Sequence, residues 1–363
     1  MRQRSWTKAV FPGTLAVLSA AVVLLSGSMA WAQSLVLYCG RSKTLIEPLL
    51  ERFEQETGID VQVRFGSDAE LLATLNEEGS RSPADVAWFN TTGALGAADS
   101  AGLLTQLPQD LLQRPAAFVP SSGRWVPITT RFRVLAYNAQ RVSQADLPES
   151  VMDLPKLKQL KGRIGWTPSY PSFQDFVTAV RILHGKEAAK AWLEGVKALE
   201  PVAYSSNTPM IQALKAGEID VALTNHYYVL RLLHPSGKVK LEDLEQAESR
   251  KALEAAQQAD APVKMHHFAP GDAGNLALVT GAAILRHGDQ PEAARRLLSF
   301  LLSPEAQRFA AWSVHEYPVV HGTETPSYLL PMERVIMLSP AFDFEQLRHL
   351  DQTLELLREA GLF

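Results

Sequence analysis

The side chains best placed to do chemistry in this chain of 363 residues are oxygen donors at the ends of apolar runs. The stretch "ALTNHYYVLRLL" sets Tyr227 and Tyr228 side by side behind His226, directly after a run with the character of a buried strand. Neighbouring residues alternate faces on a strand and lie about 100° apart on a helix, so the two phenols are not simply a core pair. Tyr170, in "TPSYPSFQ", stands at another strand end. A phenol that loses its proton is a hard anionic oxygen ligand, suited to a hard, highly charged cation such as ferric iron. Its free pKa near 10 means that a phenolate at neutral pH needs a strong positive charge beside it. A trivalent metal supplies that charge and displaces the proton, and a tyrosine serves as ligand to the haem iron of catalase. The alternative is that these tyrosines and His226 are hydrogen-bonded residues of a cleft.

Other chemistries leave less trace. There is no G-x-S-x-G, H-E-x-x-H or C-x-x-C pattern and no glycine-rich phosphate loop, so an enzyme is not expected. His266 and His267 are adjacent in "KMHHFAPGD"; on a strand they face opposite ways, and they are read as structural. Trp88, Phe89 and Trp166 are read as cleft wall or core rather than as the aromatic cage an organic cation would need. With 46% hydrophobic and 20% charged residues and a net charge of -4, the composition is that of an ordinary globular protein. No basic run lies beyond the first residues and no aromatic-basic interleaving occurs, so nucleic acid is not an expected partner.

The elements that must position these residues follow a leader. "MRQRSWTK" is basic, "LAVLSAAVVLLSGSMA" is apolar, and "AWA" ends in a small-x-small cleavage site. Residues 1–32 therefore read as a secretory signal peptide, which sends the mature chain out of the cytoplasm. Cys39, the single cysteine, has bulky Tyr38 before it and reads as a small buried residue; it cannot form an internal disulfide. From "SLVLYCG" to "ADVAWFN" the pattern runs strand, helix, strand, helix, strand, which predicts an α/β layer. "WVPITTRFRVLAYN" is β-rich with no helix inside it, long enough to cross to a second unit. That unit holds "GRIGWTP", three helical runs and "IDVALTN". "LEDLEQAESRKALEAAQQADAP" lacks an apolar face and reads as a surface excursion, whereas "ALVTGAAILRHG" returns to β character and the chain closes on an amphipathic helix. Two α/β lobes joined by β-rich crossings suit a hinged clamp, and ligands of such sheets gather at the carboxyl ends of the strands.

"LYCGR", "FEQETGIDVQVRFG", "LLATLNEEGSRSPADVAWFNTTGALGAADSAGLL", "RFRVLAYN", "NHYYV" and "APGDAG" together make the mature chain resemble the periplasmic ferric-iron-binding proteins of ABC importers. The resemblance implies the two-lobed type II periplasmic binding protein fold, each lobe a mixed, mostly parallel sheet flanked by helices. The lobes are expected at about 33–129 plus 264–310 and at about 130–263 plus 311–363. It implies a monomer that captures Fe(3+) between the lobes and delivers it to an inner-membrane ABC permease. By position, Tyr227 and Tyr228 match the family's paired iron ligands, and Tyr170 falls where some members place a third. The chain departs from the pattern where Ser42 or Lys43 replaces a histidine, and where Asn90 replaces a glutamate ligand. Three phenolates would balance a trivalent cation and leave positions for (bi)carbonate or water. Arg41 and Arg131 are candidate anion donors or, equally, structural salt-bridge partners, and His226 is expected to pack behind the tyrosines. The same fold serves organic solutes such as polyamines, thiamine and phosphonates, which is the alternative reading.

Overall fold

A computed structural model describes residues 34–113, 118–234, 239–256, 262–341 and 343–362. The expected signal peptide lies outside the described residues. In chain order the strands are β1 (Ser34–Cys39), β2 (Asp60–Phe65), β3 (Val86–Phe89), β4 (Val126–Asn138), β5 (Ile164–Trp166), β6 (Val202–Ala203), β7 (Val221–Asn225), β8 (Val263–His266), β9 (Ala277–Ile284) and β10 (Tyr317–Pro318). The helices are α1 (Lys43–Thr57), α2 (Asp68–Glu78), α3 (Thr92–Ser100), α4 (Pro171–His184), α5 (Lys186–Lys197), α6 (Asn207–Ala216), α7 (His226–Leu233), α8 (Ala247–Ala255), α9 (Pro291–Leu301), α10 (Pro304–Phe309), α11 (Met332–Leu338) and α12 (Leu350–Glu359).

The long β-rich run becomes β4, buried along its whole length, and it belongs to two sheets. Its first part, up to Phe132, pairs antiparallel with β9. Beyond β9 come β3, β1 and β2. From Arg133 onward β4 pairs antiparallel with β7 and β8, and beyond β7 come β5 and β6. The outer strands run parallel, as expected from their helical connections. The pairs made by β4, and that of β3 with β9, are antiparallel. Parallel neighbours need a crossover, usually helical, whereas strands that return across a sheet can pair antiparallel without one. β10 pairs with β4 at Thr129 and Thr130, which brings the preceding residues, His315 and Glu316, against the crossing.

Local sequence accounts for the helices that set up the cleft. In α1 the residues Ile46, Leu49, Leu50 and Phe53, at spacings of three and four, form the buried stripe. Gly58 ends the helix at φ 68°, a left-handed conformation that costs glycine nothing. α2 opens with a capping box between Ser67 and Glu70, which places Asp68 in its first turn. One apolar core lies about β1, β3 and β9 and includes Cys39, Trp88 and Phe89. A second holds Trp166, Phe173, Phe176 and Trp192, with the Trp166 and Phe173 rings edge-on at 5.7 Å. α8 buries none of its residues, but the stretch read as a surface excursion is not wholly on the surface, because Leu241 and Leu244 ahead of the helix join the first core. Among the described residues no helix is long and apolar enough to cross a membrane.

Candidate functional site

β7 ends at Asn225 and α7 begins at the next residue. Asn225 keeps extended dihedrals (φ −98°, ψ 144°) and the helix starts directly behind it. The change from strand to helix swings successive side chains through the turn, and the Tyr227 and Tyr228 rings end 4.2 Å apart and tilted by 30°. Tyr170 is the last extended residue before α4, whose first helical position is Pro171. Proline has its φ preset there and lacks an N–H that would in any case go unpaired. The Tyr170 and Tyr228 hydroxyls then meet at 3.1 Å. All three tyrosines line a cavity of about 600 Å³, and Arg41, Asn90 and Arg131 line it too. Of the seven residues singled out by sequence, the structure thus brings six to one cavity.

The seventh, His226, is 1% exposed and has no lining position. Its Nδ1 accepts the Phe132 backbone N–H (3.0 Å) and its Nε2 donates to the His315 carbonyl (2.8 Å). Both ring nitrogens are therefore occupied by backbone. Burial holds the ring neutral, with its pKa down at about 3. His266 donates through Nε2 to the Pro148 carbonyl, and neither it nor His267 reaches the cavity. Trp88, Phe89 and Trp166 are buried and do not line the cavity, whose only aromatic lining residues among those described are the three tyrosines. Among the described residues no group of three or more His, Cys, Asp or Glu is assembled to hold a metal.

The side of the cavity built by the first sheet is a buried ionic network. Arg41 holds both carboxylate oxygens of Glu316 at 2.9 Å and donates to Asn90 Oδ1 at 3.1 Å. Of the two roles open to Arg41, the salt bridge is thus made. Burial alone would raise the Glu316 carboxyl; Arg41 and Arg131 outweigh it and hold the group below the usual carboxylate range. Arg131 donates to the Asn90 carbonyl (2.6 Å), and the Asn90 amide donates to the Gly40 carbonyl. Asp68 accepts from the backbone of Asn90 and Thr91, which fixes the loop that carries Asn90. Asn90 therefore serves as a joint between the arginines and the β1 and β3 strand ends.

On the tyrosine side the surroundings favour the protonated phenols. Burial raises the Tyr227 phenol, with Arg131 pulling it back. Burial also raises Tyr228, and the neighbouring Tyr227 and Tyr170 push it further because adjacent phenolates would repel. The Arg231 guanidinium lies 4.7 Å from the centre of the Tyr227 ring. Below them Arg133 donates to Asn225 Oδ1 (3.1 Å) and Ser172 Oγ (3.4 Å), and burial lowers its pKa to about 9. Burial pushes Asp175 up to about 7 against the attraction of Arg131. Sequence reasoning passed over Arg133, Asp175, Asp68 and Glu316. The alternation in "RFR" placed Arg133 on the same strand face as Arg131, and Ser172 and Asp175 stand three apart on α4, so both signals were present. Glu316 carried no local signal.

Two sheets sharing a crossing strand, with a polar cavity at the strand ends, form a two-lobed clamp of the kind that solute-binding proteins use. The chain belongs to the bacterial extracellular solute-binding protein family, whose pattern matches residues 40–308. It is 30% identical over 354 residues to the Fe(3+)-binding periplasmic protein of Serratia marcescens, covering 96% of this chain and 97% of the relative. It is 28% identical over 350 residues to the major ferric iron-binding protein of Neisseria meningitidis serogroup B, covering 96% and 98%. The crystal structure of iron-bound HitA from Pseudomonas aeruginosa matches with a TM-score of 0.78 at 32% identity, covering 91% of this chain and 99% of HitA.

Proposed function

We propose that this protein captures ferric iron in the periplasm through the phenolates of Tyr170, Tyr227 and Tyr228 and delivers it to an inner-membrane ABC permease. The observation that carries the reading is the convergence of three phenols from two chain segments on one cavity, with Tyr170 and Tyr228 in hydroxyl contact at 3.1 Å. Three phenolates neutralise a trivalent cation, and hard oxygen donors match it. The iron-binding relatives named above support the same ligand. Remaining coordination positions go to (bi)carbonate or water. Arg131 is the better anion donor, because Arg41 is already committed to Glu316.

The lobes divide at the crossing strand. One is built on β1, β2, β3, β9 and the first part of β4, the other on β5 to β8 and the rest of β4. What supports this division is the change of partner between Phe132 and Arg133. The pairing of β8 with Leu135–Asn138 supports a return crossing nearer Leu276 than residue 264. The protein acts as a monomer that closes on its cargo by rotation of the lobes about these crossings.

Titration with ferric nitrilotriacetate tests the reading. Tyrosinate-to-iron charge transfer should colour the protein, and the combined Tyr227→Phe, Tyr228→Phe variant should stay colourless. A colourless wild-type protein with no calorimetric binding overturns the proposal. A Tyr170→Phe variant with a full band would remove Tyr170 from the ligand set and leave the doublet.

A further inference from the structure

α7 carries both adjacent tyrosines in its first turn, and both of its ends are held by one residue that lies outside the cavity. At its start, His226 donates to the His315 carbonyl (2.8 Å) while accepting the Phe132 N–H (3.0 Å). At its end, the capping residue His234 stacks on Tyr328 with ring centres 3.6 Å apart, and the Tyr328 hydroxyl meets His315 Nδ1 at 3.0 Å. His315 is 0% exposed and sits in the left-handed region at φ 60°, ψ 30°, a conformation that a residue with a Cβ keeps only when its surroundings impose it. The next residue, Glu316, is the partner of Arg41 at the first-sheet side of the cavity. Phe132, the other partner of His226, is the last residue of β4 to pair with β9. The His226 ring also packs against Tyr227 (5.9 Å, edge-on) and Tyr317 (4.7 Å).

We infer that His226 and His315 are positioning residues for the tyrosine pair, tying the tyrosine helix to the crossing strand β4 and to the segment that leads into β10. This inference rests on the ferric reading only for its consequence in iron release; the tether itself is a property of the protein without iron. The neutral His226 ring is the one side chain of its size that can accept on one edge and donate on the other. Asparagine reproduces only the near acceptor for Phe132, and glutamine only the far donor to His315. Neither alone restores the tether.

The test compares wild type with His226→Phe, His226→Asn, His226→Gln and His315→Gly. His315→Gly retains the carbonyl and relieves the left-handed backbone, so it should fold, while it loses the Tyr328 contact. Three quantities are read: the wavelength of the ferric band, the rate of iron release to excess citrate, and amide exchange over residues 226–234 without iron. Expected are a shifted band and release about tenfold or more faster in His226→Phe and His315→Gly, with partial recovery in the Asn and Gln variants. Exchange in α7 should quicken by a similar factor in His226→Phe. Wild-type band, release and α7 exchange in both His226→Phe and His315→Gly would overturn the inference. If the wild type gives no band, the ferric reading fails, and the exchange arm still decides whether the tether exists.

Discussion

Loading the site should expel protons in a number set by the tyrosine doublet. At pH 7 even an unperturbed phenol lies about three pH units below its pKa, about 4 kcal/mol short of ionisation. Tyr227 and Tyr228 are raised further by burial, and Tyr228 also by its phenolic neighbours. Both therefore hold their protons in the iron-free protein throughout the neutral range. A ferric ion that binds them as phenolates releases at least two protons, so the sign is fixed: affinity rises with pH. Two protons correspond to about a hundredfold gain in affinity per pH unit, since each released proton contributes a factor of ten. Calorimetry with ferric nitrilotriacetate, in two buffers of different ionisation enthalpy, counts the protons once the release from the iron donor has been measured in a blank. Wild type should release two or more, and Tyr227→Phe one fewer. Release of less than one proton, unchanged by Tyr227→Phe, would mean that iron is held by groups other than these phenolates, and the site assignment would fall.

Three further outcomes concern stability. Arg41 and Glu316 have side chains only 5% and 1% exposed, so Glu316→Gln leaves a buried guanidinium without its counter-charge and should cost about 3–5 kcal/mol in urea unfolding. Replacing both, Arg41→Met with Glu316→Leu, should recover most of that loss, and a double variant as unstable as the single one would refute the argument. His226 and His315 are held neutral with pKa values of about 3, below the unfolded value near 6.5. Their contribution is complete above pH 6.5 and is lost as pH falls, at up to about 1.4 kcal/mol per pH unit for each ring; urea midpoints that stay flat from pH 6.5 to 4.5 would contradict this. Asp175 is raised to about 7, so the folded state binds an extra proton above pH 4 and loses stability as pH rises through 7. Asp175→Asn should therefore stabilise at pH 8.5, by up to about 4 kcal/mol, and gain little at pH 4; a loss at pH 8.5 would show the carboxylate to be a needed partner of Arg131 or Arg133.

What could be read from sequence depended on the range of the interaction. The alternation of strand and helix from β1 to β3 is written within a few residues at a time, and it was legible. The tyrosines stood out as a candidate site because a phenol doublet at a strand end is unusual in itself. Their shared orientation was foreseeable only in outline, because it depends on the backbone turning into helix directly after Asn225. The partners of the arginines and of His226 were not legible. Arg41 finds Glu316 across 275 residues, and His226 reaches Phe132 and His315 across 94 and 89. Those partners are chosen by the register of β4 with β9, β7 and β10, and a shift of one residue would turn each side chain to the opposite face. The same register that hid the partners is what links them: β4 joins both sheets, β10 lies on its first part, and His315 and Glu316 directly precede β10. One of this adjacent pair then holds the tyrosine helix and the other the arginine beside the cavity. Movement at the crossing therefore cannot leave the two sides of the site independent.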